Sequence, residues 1–129
     1  MNLALQDKVI IVTGGAKGIG EGIANVLAAE GAVVVIVGRN EADNLKTIQA
    51  IEANKGRAFQ VVAELSVPVD CENAIKAVAE KFGRIDGLVN NAGVNDGVGL
   101  EKGDYVRFME SLHKNLVHYY LMAHFALPY

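Results

Sequence analysis

Val9-Ile10-Ile11-Val12-Thr13-Gly14-Gly15-Ala16-Lys17-Gly18-Ile19-Gly20 is the stretch from which the rest of the chain is read. Four consecutive apolar residues, all of them β-branched, suit a strand buried on both faces. Glycines at 14, 18 and 20 break the pattern and open a helical stripe. In a strand–glycine turn–helix, small residues let the backbone approach a phosphate. The helix N-terminus adds free N–H donors and the positive end of its dipole. The spacing is G-x-x-x-G-x-G rather than the commoner G-x-G-x-x-G, and alone it also fits a plain tight turn. Its place between a first strand and an amphipathic helix favours a dinucleotide pyrophosphate held by Gly14, Gly18, Ile19 and Gly20.

Working outward, periodicity predicts a first strand over Lys8 to Thr13. A helix follows from Gly18 to Glu30, with Ile19, Ile23, Val26 and Leu27 on one face and Gly31 as its C′ residue. Val33 to Val37 is a second strand, and Asn40 caps a helix to about Asn54 with Leu45, Ile48 and Ile51 inward. Ala58 to Val62 is a third strand. The stripe Cys71, Ala74, Ile75, Val78 and Phe82 makes a third helix, ended by Gly83. Ile85 to Val89 contains a fourth strand, and Tyr105 to about Phe125 reads as one long fourth helix with an apolar second half. The order βαβαβαβα with short connections implies right-handed crossovers. The expected class is therefore α/β, a Rossmann-like parallel sheet of order 3-2-1-4 with helices on both faces. Residues 1–129 form one dinucleotide-binding domain, truncated before a fifth strand.

Bulk properties narrow the partners. The chain has 129 residues, 51% of them hydrophobic, enough for a real core. A formal net charge of −3 with no run of like charges argues against nucleic acid or an anionic membrane. No stretch approaches the roughly 18 apolar residues of a membrane span. Met1 to Lys8 lacks the apolar core of a signal peptide, so a cytoplasmic location is expected. The lone cysteine, Cys71, falls on an apolar stripe and reads as a buried thiol. His113, His118 and His124 lack the i, i+4 spacing of paired metal ligands, and no metal is expected. Tyr119, Tyr120 and Phe125 read as packing or interface aromatics.

At the end of the second strand stands Gly38-Arg39-Asn40, where an NAD site commonly places a carboxylate for the ribose 2′-hydroxyl. A carboxylate would repel a 2′-phosphate, whereas Arg39 can pair with one in a forked geometry and Lys17 can add a second cation. NADP is therefore the favoured cofactor. NAD is the alternative, since an arginine also stacks on adenine, and both cations also fit an ordinary solvated surface.

Asn90-Asn91-Ala92-Gly93 closes the fourth strand. With the Thr13-Gly14-x-x-x-Gly18-x-Gly20 turn, in the right order and each at a strand end, it resembles the classical short-chain dehydrogenase/reductase family. The resemblance covers the whole chain but only the first half of the family's usual length. It implies an NAD(P)-dependent oxidoreductase acting on a small sugar, alcohol or carbonyl, with a homodimer or homotetramer as the full-length assembly. It further implies that Asn91, Ala92 and Gly93 lie along the cofactor's ribose and nicotinamide side. Glu64-Leu65 occupies the place of the family's adenine-side Asp, the longer acid being a departure. Mid-helix Asn115 matches the family's catalytic asparagine, which kinks its helix and holds a water in a proton relay.

More narrowly, residues 91–100 and 115–124 resemble the bacterial L-fucose dehydrogenase branch, whose members oxidise an aldose at C1. Asn95 and Asp96 then lie over the nicotinamide and meet sugar hydroxyls; the alternative is that Asn95-Asp96-Gly97 is simply a polar turn. The family's reaction uses a Tyr-x-x-x-Lys pair and a serine, the lysine lowering the phenol's pKa. Tyr105, Tyr119, Tyr120 and Tyr129 all lack a lysine four positions on, and Ser111 falls in the wrong element. The 129 residues alone are thus expected to be inactive. A non-catalytic dinucleotide-binding or assembly module is the first rival. A methyltransferase is a more remote one, disfavoured by Arg39 where an acid would stand.

Overall fold

Val9–Thr13 forms β1, a strand in which every residue is buried. The computed structural model describes residues 2–129. After β1 come α1 (Gly18–Ala29), β2 (Val33–Gly38), α2 (Glu41–Ala53), β3 (Arg57–Val62), α3 (Pro68–Phe82) and β4 (Gly87–Val89). The chain ends in α4 (Tyr105–Leu112), a π-helical segment (His113–Val117) and α5 (His118–Ala126). The strands form one parallel sheet in the order β3-β2-β1-β4, as expected from the sequence. Its register pairs Val9 with Val33, Ile10 with Gly87 and Val33 with Arg57.

Alternation along the strands divides the core into two layers. Val9, Ile11, Val33, Val35 and Val37 pack with Cys71, Ala74, Ile75 and Val78 of α3 and Met122 and Ala126 of α5. Ile10, Val12, Val34 and Ile36 point to the other face, against Ala24 and Ala28 of α1 and Ile48 and Ile51 of α2. Neither face is open to water at the central strands, which is why β1 and β2 are apolar throughout.

The terminations follow the expected chemistry. Gly31, at φ 89°, stops α1, and its N–H donates to the Ala28 carbonyl at 3.0 Å. Gly83 (φ 73°) closes α3 in the left-handed region, donating to Ala79 at 2.8 Å. The Asn40 side chain caps α2 by accepting from the Asp43 N–H at 3.0 Å. Cys71 is fully buried, and burial, reinforced by neighbouring Asp70, pushes its thiol pKa up.

Three details differ from the expectation. The apolar face of α1 is rotated: Gly20, Ala24 and Ala28 face the sheet and Ile23 and Leu27 flank them, whereas Ile19 is 78% and Val26 60% exposed. Small residues spaced by one turn bring the helix backbone close to the sheet, and hydrophobicity alone does not reveal that choice. On α2, Leu45 is 40% exposed, and its place inward is taken by Asn44 and Thr47. The long last helix is not regular, since a π segment separates α4 from α5. β3 begins one residue earlier than expected, at Arg57, whereas β4, Gly87–Val89, falls within its expected span.

Candidate functional site

The glycine turn sits at the carboxyl end of β1, on the sheet edge where parallel α/β folds hold ligands. Gly14 takes φ 65° and donates its N–H to the Val37 carbonyl at 2.9 Å, tying the turn to β2. Gly18 takes φ 54° and opens α1, with nothing within 4 Å of where a Cβ would stand. A Cβ on Gly20 would lie 2.2 Å from the Gly14 carbonyl oxygen, so only glycine lets the helix close on the turn. Lys17, the N-cap of α1, supplies no side-chain cap, which leaves the first-turn N–H groups available to an anion. Ile19 is exposed beside them. An uncapped helix end over a cradle that side chains would fill fits a pyrophosphate.

Hydrogen bonds from the segment after β4 and from α2 hold this cradle. The Thr13 hydroxyl accepts the N–H groups of Asn91 (2.9 Å) and Ala92 (3.0 Å). In return the Asn91 side-chain amide donates to the carbonyls of Thr13 (3.1 Å) and Gly14 (3.2 Å). The segment after β4 is thereby locked onto the glycine turn. From α2, Thr47 donates to the Ala16 carbonyl at 3.1 Å and Asn44 to the Gly38 carbonyl at 3.1 Å. Sequence spacing does not single out Thr13, Asn44 and Thr47 as site residues. The one available signal is their polarity at positions where the period demands a core residue.

Beyond the end of β2 lies a cavity of about 550 Å³ lined by Arg39, Asn40, Val62, Ala63, Glu64 and Asp70. Arg39 Nη1 lies 3.8 Å from Glu64 Oε2, and Lys17 Nζ 2.9 Å from Asp43 Oδ2, so each cation faces a carboxylate. Glu64 Oε1 accepts from the Ser66 hydroxyl at 2.9 Å and its N–H at 3.3 Å. The Glu64 main-chain N–H donates to Asp70 Oδ2 at 3.0 Å, which brings Asp70 into the lining. Leu65 is buried in the core, and its carbonyl accepts from the Cys71 thiol at 3.4 Å. Asn40, as the cap of α2, has its side-chain oxygen committed to Asp43.

At the other end of the cradle, Asn115 lies within the π segment. Its Oδ1 accepts from the Val94 N–H at 2.7 Å, and its Nδ2 donates to the Ser111 carbonyl at 3.1 Å. A Cβ on Gly93 would stand 2.9 Å from Asn115 Oδ1, so glycine is what lets the strand-end loop reach the helix. Asp96 Oδ1 accepts from the Ser111 hydroxyl at 3.2 Å, and Asn95 Oδ1 accepts from the Gly97 N–H at 3.3 Å. Asn95 thus makes the polar turn, with Gly97 at φ 69°, and Asp96 anchors that turn to α4. Asn90 donates from Nδ2 to the Tyr119 carbonyl at 3.1 Å, joining β4 to α5. His118 is buried with Nε2 2.8 Å from the Lys114 carbonyl oxygen. Tyr120 stacks on His124 at 5.6 Å.

The short chain dehydrogenase family model matches residues 8–129. Short-chain reductase protein NovJ of Streptomyces niveus is 43% identical over 100 residues, covering 77% of this chain and 38% of that protein. Ipsdienol dehydrogenase of Ips pini is 33% identical over 136 residues, covering 100% of this chain and 51% of its own length. A metagenomic short-chain oxidoreductase in complex with NADP superposes with a TM-score of 0.90 at 32% identity, covering 97% of this chain and 57% of that one. NADH-dependent reductase A1-R′ complexed with NAD gives 0.89 at 31% identity, with 97% and 52% covered. The chain spans about half the length, or less, of the curated relatives it matches. It belongs to the short-chain dehydrogenase family.

Proposed function

We propose that this family member forms the NAD(P)-binding half of an oxidoreductase, with residues 1–129 making one dinucleotide-binding domain. The observation that carries the reading is the uncapped N-terminus of α1, opened by Gly18 and Gly20 and fastened by Asn91 to Thr13 and Gly14. Gly18, Ile19 and Gly20 would hold the pyrophosphate through backbone N–H groups, with Gly14 letting the turn's backbone come close to it, and Asn91, Ala92 and Gly93 would flank the ribose and nicotinamide. Arg39, Asn40, Glu64 and the Leu65 backbone would border the adenosine. A nicotinamide dinucleotide, when bound, supplies a hydride acceptor or donor at the ring. The chain's own part is to bind it, to orient it along the sheet edge and, through Asn115, to fix one polar group beside the ring. NADP is the preferred partner on this reading, supported by the cations Lys17 and Arg39, with NAD the alternative.

The proposed substrate class is a sugar such as L-fucose or a related aldose or alcohol, supported by the resemblance at residues 91–100 and 115–124. Asn95 and Asp96 bring hydroxyl-binding oxygens close to that end of the cradle. A cytoplasmic location and a homodimeric or homotetrameric full-length protein complete the proposal. Among the described residues, no helix is long and apolar enough to cross a membrane. The second reading is a dinucleotide-binding or assembly module without catalysis, which tight dinucleotide binding by this chain alone would favour.

Calorimetric titration with NADPH and NADH tests binding, and dinucleotide reduction on adding L-fucose tests the substrate. Saturable one-to-one binding by this chain is expected, with L-fucose-dependent reduction where the Tyr-x-x-x-Lys residues are supplied. Failure of both dinucleotides to bind would contradict it.

A further inference from the structure

Resting on the reading of Asn115 given above, we infer that Ser111 is a positioning residue: its hydroxyl couples the loop after β4, through Asp96, to the Asn115 carboxamide. Ser111 stands in the last turn of α4, one turn before Asn115 in the π segment. Its hydroxyl donates to Asp96 Oδ1 at 3.2 Å and accepts from Asn115 Nδ2 at 3.4 Å. Its carbonyl accepts from the same Nδ2 at 3.1 Å. Asn115 Oδ1 in turn takes the Val94 N–H at 2.7 Å. The loop is therefore fastened to the helix at Val94 and again at Asp96, and both fastenings run through the Ser111–Asn115 pair. Ser111, Asn115 and Asp96 are all half-buried, so these bonds are partly shielded from competing water.

A serine hydroxyl has one proton and two lone pairs. With the proton given to Asp96, a lone pair is turned to Asn115. Both acceptors of the carboxamide nitrogen then lie on Ser111, and its oxygen is left to Val94. If Asp96 is drawn away, the hydroxyl is free to give its proton to the helix carbonyl one turn back, as serines inside helices do. Asn115 then keeps one acceptor instead of two, and its carboxamide is less firmly set. A ligand hydroxyl that engages Asp96 is by the same route felt at Asn115. The serine thus links the group proposed to meet the substrate with the group proposed to stand beside the nicotinamide, and touches neither ligand itself.

The side-chain amide resonances of Asn115, followed by NMR in the 129-residue chain without dinucleotide, give the test. Ser111→Ala and Asp96→Ala are each expected to speed solvent exchange of the Asn115 carboxamide about fivefold, the worth of one ordinary hydrogen bond. The doubly substituted protein should exchange no faster than either single one, because both changes break the same connection. Ser111→Thr keeps the hydroxyl and should restore the original rate. Backbone amides of β1 and β2 should stay as protected as before, which separates the effect from a general loss of stability. Effects that add in the double variant, or an Asn115 rate that Asp96→Ala leaves unchanged, would overturn the inference. Should Ser111→Ala fail to fold, Asp96→Ala in the loop decides on its own. Failure of the unaltered chain to bind NADPH or NADH would instead remove the reading of Asn115 as a site residue, and the exchange rates decide the coupling in either case.

Discussion

Thr13 shows how one side chain decides whether two loops meet. It ends β1 fully buried, and its hydroxyl accepts two backbone N–H groups while donating to the Val89 carbonyl at 3.4 Å. Thr13→Val keeps the shape and the β-branching but leaves the Asn91 and Ala92 N–H groups facing a methyl. Unpaired buried donors are costly, so this substitution should lower stability by about 2 kcal/mol in urea denaturation. It should also weaken dinucleotide binding, because the same bonds fix the glycine turn. An unchanged midpoint would show that the hydroxyl does not hold the two loops together. The residue-level roles were only partly legible in the sequence. Gly14, Gly18 and Gly20 announce themselves by composition, and the structure gives each a conformational or steric reason. Thr13 and Thr47 do not, because a threonine at the end of a strand or inside a helix has many uses, and only the fold reveals which carbonyl or amide it meets.

Among the elements, legibility follows how a segment is stabilised. β1 and β2 are runs of branched apolar residues, so their existence and parallel pairing could be read from pattern alone. The turn of α1 toward the sheet could not, since Gly20, Ala24 and Ala28 carry little hydrophobic signal beside Ile19 and Val26. Close approach of backbones, not burial of large side chains, fixes that helix. The break between α4 and α5 is a further case. A continuous apolar stripe predicts one helix, but Asn115 turns its carboxamide to Val94 and Ser111, and the backbone widens into a π segment at that point. π segments of this kind concentrate at functional sites. Arg39 and Glu64 belong to different strand ends, and nothing in their spacing tells that the acid faces the base.

For the whole molecule, the sheet's two ends divide the work. The carboxyl end carries the cradle, the cavity and Asn115; the opposite end carries ion pairs that hold the chain together. There Asp86 accepts the Val9 N–H at 2.8 Å, and the hydrogen-bonded Arg84 guanidinium holds its carboxyl below the ordinary value of 3.8. A depressed folded-state pKa means the contribution is fully present above the unfolded value and is lost as pH falls through the folded one. The protein should therefore lose stability on acidification below about pH 4, and Asp86→Asn should flatten that limb while leaving dinucleotide affinity at neutral pH unchanged. An acid limb identical in the two proteins would deny Asp86 this role.

On the proposed function, the glycine turn and the segment locked to it form a dinucleotide cradle. Backbone amide chemical shifts, followed by NMR while NADPH or NADH is added, test it most directly. Saturable shifts concentrated at Gly14, Gly18, Ile19, Gly20, Arg39 and Asn91 to Gly93 are expected, and their loss in Gly20→Ala. Shifts absent altogether, or gathered instead around Val98, Leu100 and Phe108, which line a second cavity beside the start of α4, would contradict it.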